Sequence, residues 1–402
     1  MKTGKKGNKM NMGKLITIAA VAANAITANA ASITIDSVTQ RWPWNNKVDI
    51  TYTVTDGQTL ASDGGGVFYR IVFNYDIGGV TGTIDGVHDI GASANTGTHT
   101  VTWTPPTDLK VKSNSCTMTA TLYRADAPSG DDYMIVDLAD GALTYEGLLF
   151  SQELSNARYN IDKYKKTHLV LRKIPKGTYY TSSGNRTTDK DYYIALFQWT
   201  NYQYWYLFDG DTAVTDARPA GQNITLNARA LGYANDIRGT ADPTVPVAGT
   251  TASDYLKVIP WLNGKTGLAF DLPTMLMHEI ATRAGTSTTY YWGEDSNLAA
   301  EYAVFNNATG IVGSKEPNNW GLYDMVGLLW QWCLDMKDGT RNPDDVFTPA
   351  TIANDNDIRK VRGGTSTSDA TQITSITDSQ AYATRASRRD DRFGVRIAYI
   401  VK

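Results

Sequence analysis

The sequence predicts an all-β sandwich followed by an α+β domain, and three observations carry that prediction. The chain has 402 residues, more than one hydrophobic core usually organises, so two domains are expected. Between Ile33 and Gly147, short alternating segments are divided by Gly and Pro clusters with no helical window, the pattern of antiparallel strands. Beyond residue 167, helical windows appear among short strands and long polar loops, without the regular strand–helix alternation of a doubly wound sheet. The composition, 42% apolar and 20% charged, is that of a globular protein rather than a disordered one. The 23 Tyr and 10 Trp against 9 Phe suit β-rich cores that border water.

The N-terminal thirty residues precede any fold. Lys2, Lys5, Lys6, Lys9 and Lys14 form a basic stretch, Leu15–Ala28 is mostly apolar or small, and Ala28-Asn29-Ala30 has the small-x-small form of a signal-peptidase site,. A signal peptide cleaved after Ala30, and hence a secreted or cell-surface protein, is expected. The apolar run is short for a membrane span of about 20 residues, so no membrane insertion of the mature chain is expected. Cleavage removes those five lysines from a total of 38 basic residues while all 41 acidic ones remain. The resulting acidic balance argues against nucleic acid as a partner.

In residues 31–147, Val48–Val54 alternates apolar and polar side chains and closes at Asp56-Gly57,. Val67–Phe73, Thr98–Trp103 and Thr117–Tyr123 read the same way, and the set predicts a sandwich of immunoglobulin-like type. A polar stretch, 148–166, is read as linker. In residues 167–402 helices are expected at Asn201–Phe208, Tyr255–Leu262 and Thr274–Ala284. Thr274 caps the third, Leu276, Ile280 and Ala284 share a face, and Gly285 stops it. Cys116 and Cys333 are the only cysteines; placed in different domains, they are expected to be packed thiols without a bridge.

Five segments in order resemble the formylglycine-generating, or sulfatase-modifying factor, family, whose fold is related to C-type lectins. They are Leu169–Thr178, Tyr192–Thr200, Phe270–Gly285 with Tyr291-Trp292-Gly293, Asn319–Asp335, and the pair Arg362-Gly363-Gly364 and Phe393–Arg396. The resemblance implies a loop-rich α+β domain behind an immunoglobulin-like module. It also implies, for active members, a copper-binding cysteine pair after the Arg-Gly-Gly motif that oxidises a substrate cysteine.

That chemistry needs soft thiolates, and no cysteine follows Cys333; after Gly364 the chain reads Thr365-Ser366-Thr367-Ser368. Positions that the resemblance assigns to calcium ligation read Leu328, Gln331 and Val304, of which two offer no side-chain oxygen. Met275, Met277 and His278 depart from the family's helix motif. An iron site built from His88, His99, His168 and His278 lacks ligand spacing. The expectation is therefore no catalytic residue, no metal and no cofactor. A binding or adhesion role toward an extracellular protein or glycan is expected, with Ser368, Gln372, Tyr382, Arg385 and Arg388 as candidate ligand-binding residues on a surface of adaptable polar and aromatic side chains. The alternatives are a protein-modifying oxidoreductase of the family's own type, or a target of a diversity-generating retroelement, whose hypervariable patch lies on this surface in lectin-like relatives.

Overall fold

The computed structural model describes residues 31–41, 45–59, 66–85, 90–109, 116–125, 129–209, 237–238, 258–308, 310–340, 342, 344–351, 358–382 and 392–402. They divide into two compact units, one up to residue 125 and one from residue 129 onward.

The first unit holds six strands: β1 (Ser32–Gln40), β2 (Val48–Thr55), β3 (Phe68–Ile77), β4 (Val80–Asp85), β5 (Gly97–Trp103) and β6 (Cys116–Ala125). They form two three-stranded antiparallel sheets, in the orders β1-β2-β5 and β4-β3-β6. Period-2 alternation decides which face turns inward: Val48, Ile50, Tyr52 and Val54 are fully buried, while Asp49, Thr51 and Thr53 between them are not,. Both sheets feed one core, in which Ile50 and Tyr52 meet Ile71, Phe73 and Met118. Each such side chain contributes about 1.5–3 kcal/mol. The four predicted strands are present as β2, β3, β5 and β6. His99 is half-buried on β5, with Nε2 2.7 Å from the Asn95 carbonyl; His88 lies outside the described residues.

The second unit begins earlier than the sequence suggested. β7 (Tyr133–Asp137) and β8 (Leu143–Glu146), assigned above to the sandwich, are the edge of a six-stranded antiparallel sheet in this unit. β7 is apolar on both sides, Tyr133 to Val136 all being buried, which marks a sheet covered on both faces. The stretch read as linker is folded as well. It contains α1 (Gln152–Tyr159) and α2 (Lys163–Lys166), with Leu149, Tyr159 and Tyr164 buried. Buried Arg158 pairs with Glu146 at 3.0 Å, and so a polar-looking sequence packs.

The rest of the sheet comprises β9 (His168–Ile174), β12 (Tyr192–Ala195), β13 (Phe270–Asp271) and β18 (Ala398–Ile400), in the order β13-β18-β12-β9-β7-β8. Between β9 and β12 lies a hairpin of β10 (Gly177–Thr181) and β11 (Gly184–Thr188). Tyr192 and Ile194 of β12 face one core cluster, Tyr193 and Ala195 the other. The helices are α3 (Asn201–Asp209), α4 (Val258–Thr266), α5 (Met275–Arg283) and α6 (Ala299–Tyr302). Of the predicted Tyr255–Leu262 helix, Val258–Leu262 is helical in α4 and Tyr255–Lys257 lie outside the described residues. α5 forms as predicted, Thr274 Oγ1 accepting from the Met277 N–H at 3.1 Å. Its left-handed cap is Ala284 (φ 46°) rather than Gly285. A second sheet, β16-β15-β14-β17, joins β14 (Trp330–Met336), β15 (Ile358–Arg362), β16 (Asp378–Tyr382) and β17 (Phe393–Gly394).

Candidate functional site

The motif segments converge on a buried polar frame. Arg396, just before β18, is fully buried and spends its guanidinium on four acceptors. They are the Gln331 side chain and the carbonyls of Ala195 and Tyr323, each at 2.6 Å, and the Asp324 carbonyl at 3.0 Å. Burial pulls Arg396 down to about 10, still charged at neutral pH. Gln331, on β14, donates back to the carbonyls of Asp324 and Met325. One side chain thus ties the C-terminal strand to the Tyr323–Val326 loop and to β12.

α5 supplies the second tie. Glu279 is fully buried and accepts from Arg362 at 2.9 Å, Arg283 at 3.0 Å and the Ser182 N–H at 2.6 Å. Burial pulls its carboxyl up, but Arg362, the Ser182 N–H and Arg283 together hold it below the ordinary value,. His278 beside it is 3.1 Å from Gln331 Oε1. Burial, with the charges of Arg362 and Arg396, pushes His278 down to about 3, so it stays neutral. Asp324 runs the other way: burial raises its carboxyl despite the Gly313 N–H at 2.7 Å and the charge of Arg396.

This frame has consequences for metals. Gln331 and the Tyr323 and Asp324 carbonyls, oxygens that a cation would want, are already taken by the Arg396 guanidinium. Leu328 and Val304 contribute to each other, the Leu328 N–H bonding the Val304 carbonyl at 2.8 Å. Among the described residues no three His, Cys, Asp or Glu side chains are grouped to hold a metal. Neither cysteine forms a disulfide. Cys333 is fully buried on β14, its sulfur 3.8 Å from the Gln331 carbonyl; Cys116 belongs to the first unit. These residues do not fit a copper–thiolate centre.

The segment after Gly364 is a capped turn. Gly363 (φ 93°) and Gly364 (φ 76°) admit no side chain; a Cβ on Gly363 would lie 2.7 Å from the Met325 carbonyl oxygen,. Ser368 is buried rather than displayed, its hydroxyl accepting from the Thr365 N–H at 3.1 Å. Gln372 is exposed, yet its side chain accepts from the Asp369 N–H at 3.2 Å to complete a capping box,. Tyr382 closes β16, its backbone opposite Ile358. Arg385 and Arg388 lie outside the described residues. Ser368 and Gln372 therefore shape the turn.

Sequence reasoning missed a cavity of about 300 Å³ lined by Thr286, Thr288, Tyr291–Gly293, Tyr302 and Pro317–Asn319. Its aromatic wall is a stack. Trp292 lies between Tyr290 (ring centroids 4.7 Å apart, 14° between planes) and Tyr302 (5.0 Å, 8°). Tyr291 meets Trp292 edge-on. The signal was present in the Thr-Thr-Tyr-Tyr-Trp-Gly run, which reads as packing until its open side is seen.

The second unit is a loop-rich α+β domain with a buried charged frame and an enclosed thiol. Residues 161–400 match the sulfatase-modifying factor enzyme 1-like domain, and the chain belongs to that family. The serine/threonine-protein kinase pkn1 of Chlamydia pneumoniae is 33% identical over 93 residues, 22% of this chain. The chain spans only 14% of that protein's length. Similar solved structures include PvdO from Pseudomonas aeruginosa, at 20% identity and a TM-score of 0.44, covering 58% of this chain and 94% of that one. The variable protein 1 of Treponema denticola matches at 18% identity and a TM-score of 0.42, covering 58% and 95%. CarF matches at 14% and 0.40, covering 57% and 97%.

Proposed function

We propose that this is an exported protein in which an immunoglobulin-like module precedes a sulfatase-modifying factor domain that no longer performs its oxidation and instead binds an extracellular ligand, a protein or a glycan. The observation that carries the reading is the position of Cys333. The domain's one cysteine, Cys333, is fully buried within β14, while the segment after Gly364 offers hydroxyls tied into a turn. Oxidising a peptide cysteine needs an accessible thiolate and a second soft ligand, and neither is provided. Export rests on the basic, apolar and Ala-Asn-Ala segments of residues 1–30, which lie outside the described residues. Among the described residues no helix is long and apolar enough to cross a membrane. The immunoglobulin-like reading is supported by two antiparallel sheets around one core.

The test is direct. Purified protein is incubated with copper and a cysteine-containing sulfatase-type peptide, and the peptide is read by mass spectrometry. No aldehyde above background is expected; an aldehyde product that disappears in Cys333→Ser sinks the proposal. For export, N-terminal sequencing of protein from the native host is expected to begin at Ala31, and material beginning at Met1 counts against it.

A further inference from the structure

The cavity beside the aromatic stack has a chemistry that selects its ligand. We infer that it is a subsite for a neutral sugar residue; the inference rests on the binding reading above and names both its place and its ligand class. A cavity of about 300 Å³ lies at the small end of the range for small-molecule sites. No charged side chain lines it, so an anion or a cation entering it loses water without gaining a counter-charge.

The polar groups on its wall narrow the choice further. Thr286 donates its hydroxyl hydrogen to the Arg283 carbonyl at 2.8 Å, and Thr288 donates to the Tyr290 carbonyl at 2.6 Å. Both oxygens are left as acceptors. A phosphate or carboxylate finds no positive charge there, whereas a ligand rich in hydroxyl groups does find acceptors. The Asn319 side chain is exposed and has no hydrogen-bond partner among the described residues, leaving an amide that both donates and accepts. A methylated ammonium, which also suits aromatic walls, finds no carboxylate there to offset its charge, because no charged side chain lines the cavity,. What the wall offers is apolar ring surface for the C–H side of a pyranose and neutral hydrogen bonds for its hydroxyls.

The site is also preformed. Trp292 is pinned by the two stacked rings and by its Nε1 bond to the Asp295 carbonyl at 3.0 Å, and Tyr291 by its hydroxyl bond to the Tyr302 carbonyl at 2.9 Å. Little ordering remains to oppose binding. Gly293 (φ 127°) has open space where a Cβ would stand, which keeps the cavity reachable.

Saturation-transfer NMR on the full chain tests this with the methyl glycosides of glucose, galactose, mannose and N-acetylglucosamine, and with tetramethylammonium as a contrasting probe. At least one glycoside is expected to receive transfer. Asn319→Ala is expected to weaken its binding about threefold to tenfold, the equivalent of one hydrogen bond. Asn319→Trp, which fills the mouth from an exposed position and leaves the core untouched, is expected to abolish it. No transfer to any of the four glycosides, transfer unchanged in Asn319→Trp, or displacement of the glycoside by tetramethylammonium overturns the inference. The copper-and-peptide assay reads the loss of oxidation independently, so the two claims can fail separately.

Discussion

The two units reach stability by different means. In the first, an in–out alternation that is clearest along β2 helps build one apolar core between two sheets, and the polar side chains pair on the outer face, as with Thr51–Thr100 at 3.0 Å and Thr53–Thr98 at 2.9 Å. In the second, a sheet covered on both faces is joined to irregular loops through fully buried Arg396, Gln331, Glu279 and His278. Loops lack ladders to satisfy their carbonyls, and buried side chains with several donors supply what regular structure would have given. The comparison teaches that the charged motif residues of this family fold can serve as frame rather than as chemistry.

The largest expected effect breaks that frame. Arg396→Met takes the guanidinium from the Gln331 side chain and from the carbonyls of Ala195 and Tyr323, while the Asp324 carbonyl keeps Gln331 as a donor. It is expected to cost the second unit roughly 3–5 kcal/mol while leaving the first unit's transition in place. Chemical denaturation followed at two wavelengths checks this; an equal loss in both units contradicts it.

The next effect is in pH. His278 stays neutral down to about 3, whereas an unfolded histidine protonates near its ordinary 6.5. Below pH 6.5 the unfolded chain therefore binds a proton that the folded one refuses. Stability falls as pH drops toward 3, by up to about 1.4 kcal/mol per unit. Glu279, held below its ordinary value of 4.5, adds to the loss further down. Its contribution is complete above that value and disappears as pH falls through its folded pKa. Asp324, raised by burial, opposes both. His278→Gln is expected to flatten the slope between pH 6.5 and 4.5 in urea titrations of the second unit, and an unchanged slope contradicts the assignment.

Smaller effects sharpen the contrast. Cys333→Ser places a hydroxyl in a fully buried site and is expected to cost about 1–3 kcal/mol without removing an activity, read from the same titrations. Tyr52→Phe in the first unit removes only the hydroxyl bond to the Ser93 carbonyl at 2.9 Å. It is expected to cost about 1 kcal/mol, and a loss as large as that of Arg396→Met erases the distinction drawn between the units.

What was legible in the sequence follows the same division. β2 and β5 were readable because burial there tracks period 2,, and α5 because Thr274 caps it, although all of its residues are buried. The boundary between units was not. β7 and β8 look like sandwich strands, and the polar residues of α1 and α2 look like linker, because Glu146, Arg158 and Lys165 are buried through partners distant in sequence. The family motifs located the frame, but the polar surface residues chosen as a site were misread at Ser368. A serine in a loop shows no sign of whether its hydroxyl faces a ligand or the next N–H. The cavity beside Trp292 was hidden for the reverse reason: aromatic residues read as core unless the open side is seen.

As proposed above, this domain has no copper–thiolate centre, its buried motif residues serving as frame. A Cu(I) titration of the reduced protein against a chromophoric chelator tests it without any assumption about substrate. The account predicts that the wild-type chain and Cys333→Ser withdraw no copper from the chelator to a tight site. One equivalent of Cu(I) held by the wild type and released by Cys333→Ser would contradict it.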